Sequence, residues 1–236
     1  MTEEPKEKDL KLYNVFTGLF VASLILANVT SSKLVALGPL VFPGGVVIFP
    51  LSFIFNDIFT ETYGYARSRK IIWTGFACQI LAAITYSVVG ALPAADFWPH
   101  QDAYMLILGA VPRIVLASIS AYFCGEFANS FVLSKMKYWS GGRRGLSQAW
   151  RFVASTIVGE GLDSVVFMVI AFAGALSGPE LVQTTLSLYV FKVAYEVLAT
   201  PLSTRVANWV KRVEGVDHID RPDETNYNPL AAATGR

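Results

Sequence analysis

The sequence predicts an all-α membrane protein of six transmembrane helices with both termini cytoplasmic, and three observations carry that prediction. Hydrophobic residues make up 53% of the 236-residue chain and charged residues only 16%; the mean hydropathy of +0.46 is too high for a soluble domain of this size. Apolar runs of about 20 residues or more, the length a helix needs to cross a bilayer, recur along the chain. The basic residues gather in alternate connections between those runs, and the other connections have none.

Residues 1–11, MTEEPKEKDLK, read as a polar N-terminal tail. No small-residue cleavage pattern follows it, so the first span is expected to stay in the protein. The six spans are expected at 12–37, 43–64, 71–92, 104–133, 152–176 and 181–210, making one six-helix transmembrane domain over 12–212. Several exceed the minimum length, which predicts tilt or ends that project past the hydrocarbon. The connection 93–102, PAADFWPHQD, carries two prolines with Phe97 and Trp98 and reads as an interfacial loop with an aromatic anchor. Thr200-Pro201 predicts a kink in the sixth span. Residues 213–236 read as a mobile polar tail.

Orientation follows from the charges. Lys6, Lys8 and Lys11 precede the first span; Arg67, Arg69 and Lys70 join the second to the third. Lys135, Lys137, Arg143, Arg144 and Arg151 join the fourth to the fifth; Arg205, Lys211, Arg212, Arg221 and Arg236 follow the sixth. With six spans all sixteen of these, out of nineteen, lie on one side, which the positive-inside rule makes cytoplasmic. The remaining three, Lys33, Arg113 and Lys192, fall within spans, and Lys33 is close enough to an end to snorkel.

Function is expected where polar residues enter the apolar runs. In FPLSFIFNDIFTETYG, residues 49–64, Asn56, Asp57 and Glu61 interrupt a lipid-like stretch, with Asp57 and Glu61 one turn apart on a single helix face. A carboxylate at bilayer depth is costly, so such groups face a bundle interior or a water-filled path. Glu61 is nearer the helix end, where Arg67 or Lys70 are partners within reach. At a rise of roughly 1.5 Å per residue, Asn28, Asp57, Arg113, Glu160, Asp163 and Lys192 all fall within a turn or two of the midplane. Agreement in depth across five helices is what a central transport site requires. Glu126, Asn129 and Glu61 lie nearer the cytoplasmic end, as an inner gate would.

An internal echo supports this arrangement. Gly125-Glu126-Phe127-Ala128-Asn129-Ser130 and Gly159-Glu160-Gly161-Leu162-Asp163-Ser164 share the pattern G-E-x-x-[N/D]-S, which puts both polar groups on one face and leaves room for close approach at the glycine. Lys192 needs a carboxylate partner: Glu196 one turn along its own helix, or Asp57 or Asp163 across the bundle. The interhelical choice is preferred, because Lys preceding Glu is the weaker order for a helix pair. Ser23, Ala27 and Ser31 form a small-residue face suited to helix packing or to a partner subunit, and packing alone is the preferred reading.

Other chemistries are disfavoured. Cys78 and Cys124 both lie in apolar spans and suggest neither a disulfide framework nor a metal site. There is no H-E-x-x-H and no phosphate-binding G-x-x-x-x-G-K-[S/T], so no zinc hydrolysis and no ATPase of the chain's own are expected, and no cofactor is called for. An intramembrane aspartyl enzyme using Asp57 and Asp163 would need Tyr-Asp and Gly-x-Gly-Asp; the chain has Asn56-Asp57 and Gly161-Leu162-Asp163 instead.

The runs NDIFTETYG (56–64), GEFANSFVLSKMK (125–137), STIVGEGLDSVVF (155–167) and KVAYEVLATPLS (192–203) resemble the queuosine-precursor transporter family, the vitamin uptake transporter group. The similarity covers 12–212 and extends to the ending NYNPL. The resemblance implies a six-helix bacterial inner-membrane protein importing 7-cyano-7-deazaguanine or its aminomethyl relative, with no nucleic acid as partner. It also implies a more distant likeness to substrate-binding subunits of energy-coupling-factor vitamin importers, which leaves a homo-oligomer or a separate energising subunit open. One departure stands out: Glu126 occupies a position where the resemblance leads one to expect neutral Gln. A deazaguanine offers N1–H and an exocyclic amine side by side to a carboxylate such as Asp57, Glu160 or Asp163. Its carbonyl wants a donor from Asn28, Asn56, Arg113 or Lys192, and its ring face wants Phe53, Phe167 or Tyr195.

Overall fold

The computed structural model describes residues 10–231 apart from 32, 38, 39, 110, 111, 175, 176 and 222. Of 34, 36, 37, 40–43, 112–115 and 172 it describes only the backbone. The Arg113 side chain and most of the N-terminal tail therefore lie outside the described residues.

The described residues form seven α-helices: α1 (Lys11–Thr30), α2 (Pro50–Tyr63), α3 (Tyr65–Ala91), α4 (Gln101–Ile107), α5 (Pro112–Trp139), α6 (Leu146–Phe172) and α7 (Gly178–Glu214). A two-stranded antiparallel hairpin, β1 (Leu34–Leu37) and β2 (Leu40–Pro43), pairs Leu34 with Pro43 and leads through a 3-10 turn at Gly44–Val47 into α2. Two expected spans are corrected. The first ends at Thr30 and not at 37, and the second begins at Pro50 and not at 43, because Gly-Pro and Pro-Gly-Gly steps at 38–45 favour turns over a helix. The expected single helix over 104–133 is broken between α4 and α5, with Pro112 at the restart, where a proline lacking its N–H costs least.

Among the described residues, three helices are long and apolar enough to cross a membrane: α1, α3 and α6 over Leu146–Ala171. With 14 residues, α2 rises only roughly 21 Å, short of a ~30 Å hydrocarbon core. It is nonetheless the centre of the molecule. Twelve of its residues are buried, among them Ser52, Asn56, Asp57, Thr60, Glu61 and Thr62. It packs against α1, α3, α5 and α7.

The burial pattern is that of a membrane protein, with polar groups inside and apolar groups outside. On α7 the buried stripe is Lys192, Glu196, Thr200, Ser203, Ala207, Val210 and Lys211, at helical spacing. Val190, Leu198 and Leu202 on the same helix are 62%, 82% and 61% exposed. Exposed Ile80, Leu81, Ile84 and Val88 on α3 and Leu162, Val165 and Val169 on α6 repeat the arrangement. Water would not tolerate such a surface, whereas lipid is as apolar as leucine itself.

Two junctions depend on glycine. Gly64 joins α2 to α3 with φ +86°, a conformation other residues avoid. At the crossing of α5 and α6, a Cβ on Gly125 would stand 2.8 Å from Asp163 Cβ and 2.9 Å from the Gly159 carbonyl. One on Gly159 would stand 2.8 Å from Asn129 Cβ and 2.9 Å from the Gly125 carbonyl. The sequence echo is thus a reciprocal contact: each glycine receives the [N/D] position of the other copy.

Residues 215–231 are not the free tail the sequence suggested. Gly215 ends α7 in the left-handed conformation, and the chain folds back over the end of the bundle where α2 stops and α6 begins, hereafter the basic end. His218 N–H donates to the Thr62 carbonyl at 3.0 Å. Asp220 accepts from Tyr65 N–H at 3.0 Å and Ser134 Oγ at 2.6 Å. Arg69 donates to the carbonyls of Asn226 and Asn228, both at 2.8 Å, and Trp73 Nε1 to that of Pro229 at 2.9 Å. Lys135 Nζ lies 4.0 Å over the Tyr227 ring. Burial pushes the Asp220 carboxyl up, but hydrogen bonds from His218, Ser134 and Tyr65 outweigh it and hold the group below the usual carboxylate range. A polar segment docks here because the helix ends beneath it have donors to satisfy.

The glycine contact yields a test. Gly159→Ala is expected to destabilise the detergent-solubilised protein by about 1–3 kcal/mol through overpacking. Gly161→Ala, whose added carbon would meet only Tyr189 at 3.6 Å, should be neutral or slightly stabilising by helix propensity. Equal thermal unfolding of the two variants would show that the α5–α6 approach is not close.

Candidate functional site

Two polar centres lie along α2, one at the basic end and one at mid-bundle. At the basic end Glu61 is fully buried and meets neither Arg67 nor Lys70, the neighbours that sequence proximity offered. Arg151 on α6 approaches it through Nη2 at 2.6 Å and Nε at 3.3 Å, a two-pronged contact. Lys211 on α7 reaches the same carboxylate at 2.6 Å. Lys137 on α5 donates to the Glu61 carbonyl and pairs with Asp217 at 2.6 Å, while Lys211 meets Asp217 at 3.0 Å. Burial raises the Asp217 carboxyl, yet the two lysines prevail and hold it below its ordinary range. Glu61 therefore ties α2, α6 and α7 in one node that Lys137 extends to α5 and the C-terminal segment. Sequence reading missed Lys137, Arg151 and Lys211 as its partners, having assigned them to solvated connections. The only signal was that Lys137, Arg151 and Lys211 end or begin long apolar helices.

The mid-bundle centre gathers most of the predicted site residues. Asn56 donates to Ser130 Oγ at 2.8 Å and accepts from Ser68 Oγ, linking α2 to α5 and α3. Asn129 Nδ2 donates to Asp57 Oδ1 at 2.7 Å. Lys192 on α7 pairs with Asp163 and, at 2.9 Å, with Glu160, both on α6. The interhelical bridge is the one formed, and the intrahelical Glu196 does not enter it. Lys192 Nζ also lies 4.4 Å from the centre of the Phe49 ring.

Around the ammonium stands an aromatic wall. Phe49, Phe53 and Tyr122 have ring centroids 5.9, 6.2 and 6.4 Å apart pairwise. Phe53 was expected there; Phe49 and Tyr122 were not, although Phe49 precedes Phe53 by one turn and Tyr122 precedes Glu126 by one turn. Tyr195 packs half-buried against the apolar core. Asn28 and Phe167 are half-buried on α1 and α6. Arg113 falls on the first turn of α5, 13 residues or roughly 20 Å along the helix from Glu126, and its side chain lies outside the described residues.

The centre is rich in acceptors without donors. Asp57 Oδ2, Asn129 Oδ1 and both carboxyl oxygens of Glu126 and of Glu196 are buried with no hydrogen-bond partner of good geometry. Groups left unsatisfied inside a native structure call for an explanation, and a ligand is one.

A helical membrane protein with lipid-facing apolar surfaces and a buried charged centre shared by four helices is the class defined so far. Residues 43–206 match the family model described as "Putative vitamin uptake transporter", and the chain belongs to that family. It is 30% identical over 191 residues to the "Probable queuosine precursor transporter" of Bacillus subtilis (strain 168), covering 78% of this chain and 81% of that protein. It is 27% identical over 194 residues to the "Queuosine precursor transporter" of Escherichia coli (strain K12), covering 78% and 83% respectively. No solved structure matches.

The Lys192 pairing can be tested directly. In double-mutant cycles read from thermal unfolding, Lys192→Met and Asp163→Asn are expected to couple by about 1 kcal/mol or more. Lys192→Met and Glu196→Gln should add within ~0.5 kcal/mol. Coupling to Glu196 alone would remove the bridge between α6 and α7.

Proposed function

We propose that this chain is an uptake carrier of the bacterial inner membrane for a queuosine precursor, 7-cyano-7-deazaguanine or its aminomethyl relative, and that it performs no chemistry on that base. The observation that carries the reading is the mid-bundle centre: donor-free acceptors and an anchored ammonium beside three aromatic rings, inside a member of a transporter family whose relatives bear that substrate in their names. A guanine edge supplies the missing donors. Its N1–H and amine fit Asp57, Glu160 or Asp163; its carbonyl fits a donor from Lys192, Asn129 or Asn56; its ring fits Phe49, Phe53 or Tyr122.

The same reading has the transporter domain over 12–212 cross the membrane six times, with the short α2 and its hairpin completing one crossing and α4 and α5 sharing another. Both termini and the Glu61 node are then cytoplasmic, and residues 93–102 are outside. With Cys78 and Cys124 replaced, a membrane-impermeant thiol reagent added to intact cells should label a cysteine at Asp96 and spare one at Arg143. The opposite pattern would end this topology.

For recognition, Asp163→Asn keeps the shape but places an amide donor where only acceptors stood. In cells unable to make the precursor, and at wild-type abundance in the membrane, uptake of labelled deazaguanine is expected to fall at least tenfold, ~1.4 kcal/mol. Undiminished uptake would take Asp163 out of the site.

A further inference from the structure

The two centres on α2 differ in charge balance. At the basic end, Glu61 and Asp217 are met by Lys137, Arg151 and Lys211. At mid-bundle the ratio reverses among the described residues: Asp57 on α2, Glu126 on α5, Glu160 and Asp163 on α6 and Glu196 on α7 are all buried, and the Lys192 ammonium pairs with two of them, Glu160 and Asp163. These groups act on one another. Asp57 interacts electrostatically with Glu196, Glu61 and Glu160; Glu126 with Asp57, Glu160 and Asp163; Glu196 with Glu160. The Tyr122 hydroxyl adds a neutral neighbour beside Glu126. Glu61, one turn along α2 from Asp57, already holds two cations of its own.

Lys192 can balance one of its two partners, which leaves several carboxyl groups without a counter-charge in a site shielded from water. The independent sign that something is missing is in the hydrogen bonds. Both oxygens of Glu196, 2% exposed, have no hydrogen-bond partner among the described residues, and those of Glu126, 0% exposed, have only the Tyr122 hydroxyl beside them, in poor geometry. A buried carboxylate in that position is neutralised by taking a cation, and a proton is the smallest. A metal ion fits less well, because no three Asp, Glu, His or Cys side chains among the described residues converge closely enough to hold one.

Resting on the carrier reading above, we propose that this chain is a proton-coupled importer in which Glu126 and Glu196 carry the co-transported proton. The proton binds at one of these carboxyls from the outer side, makes the centre neutral enough to close around the base, and leaves to the cytoplasm with it. Each carboxyl returns ionised and accessible from outside. Glu126 and Glu196 are suited to the task because neither meets a counter-ion among the described residues, whereas Asp57 is held by Asn129, and Glu160 and Asp163 by Lys192.

The test uses the full chain in liposomes with 7-cyano-7-deazaguanine, whose charge does not change near neutral pH. Counterflow, in which unlabelled base inside draws labelled base in at equal pH, examines the carrier reading alone. Failure there would sink that reading, not merely the coupling. With counterflow established, empty vesicles at interior pH 7.5 and exterior pH 6.5 are expected to accumulate the base up to about tenfold for one proton per substrate. A protonophore should abolish this, and a sodium gradient of equal size should not reproduce it. Counterflow without any response to the pH gradient overturns the proposal, as does a response to sodium alone. In Glu196→Gln, or in Glu126→Gln where the first does not reach the membrane, the gradient response is expected to fall below about twofold. Full accumulation by both variants would overturn the assignment of the proton to these two groups.

Discussion

The constraint on which the structure depends is that α2 carries Asn56, Asp57, Thr60 and Glu61 on a helix with almost no exposed surface. No water reaches these groups, so each must find its partner on a neighbouring helix. Ser68 on α3, Asn129 and Ser130 on α5, Arg151 on α6 and Lys211 on α7 are those partners. Apolar contact alone would specify little in lipid, where burying leucine against leucine gains little over leaving it among acyl chains. The polar residues of α2 therefore decide which helix faces which, and the apolar residues only decide which side is outside.

The two centres on that helix have different physical characters. Around Glu61 every charge is met at close range, several contacts are bidentate or shared, and breaking one partner would strand another in a buried site. Such a node is stiff. It also recruits the C-terminal segment through Asp217 and His218, so that residues without an apolar run of their own become part of the fold. Around Lys192 the acceptors outnumber the donors among the described residues, and the proposed substrate is what would supply the rest.

What could be read from the sequence follows the same division. The apolar runs, the inward turn of Asp57, Glu160, Asp163 and Lys192, and an interhelical rather than intrahelical partner for Lys192 were legible because a charge in an apolar run has few reasons to be there; that the partners are Asp163 and Glu160 and not Asp57 was not. The hairpin at 34–43 and the break before Pro112 were not, since hydropathy continues smoothly through both and only turn chemistry marks them. The partners of Glu61 were illegible for another reason: Arg151 and Lys211 are 90 and 150 residues away. Basic residues at span ends look the same whether they meet lipid headgroups or a buried carboxylate. The docking of 215–231 is written in helix ends and backbone carbonyls, which composition does not report.

The echo between α5 and α6 was legible as a pattern and not as a geometry. Its glycines bring two backbones together with no side chain between them, so this contact cannot lengthen gradually; it is either made or lost. On its two sides the copies address different helices, Asn129 reaching Asp57 on α2 and Asp163 reaching Lys192 on α7. Those are contacts through side chains with rotamers to choose from, and under the proposed function they are where a ligand carrying donors would compete for Asp57 and Asp163. A close backbone contact between α5 and α6 thus carries on its flanks the two polar contacts that tie this pair to α2 and to α7.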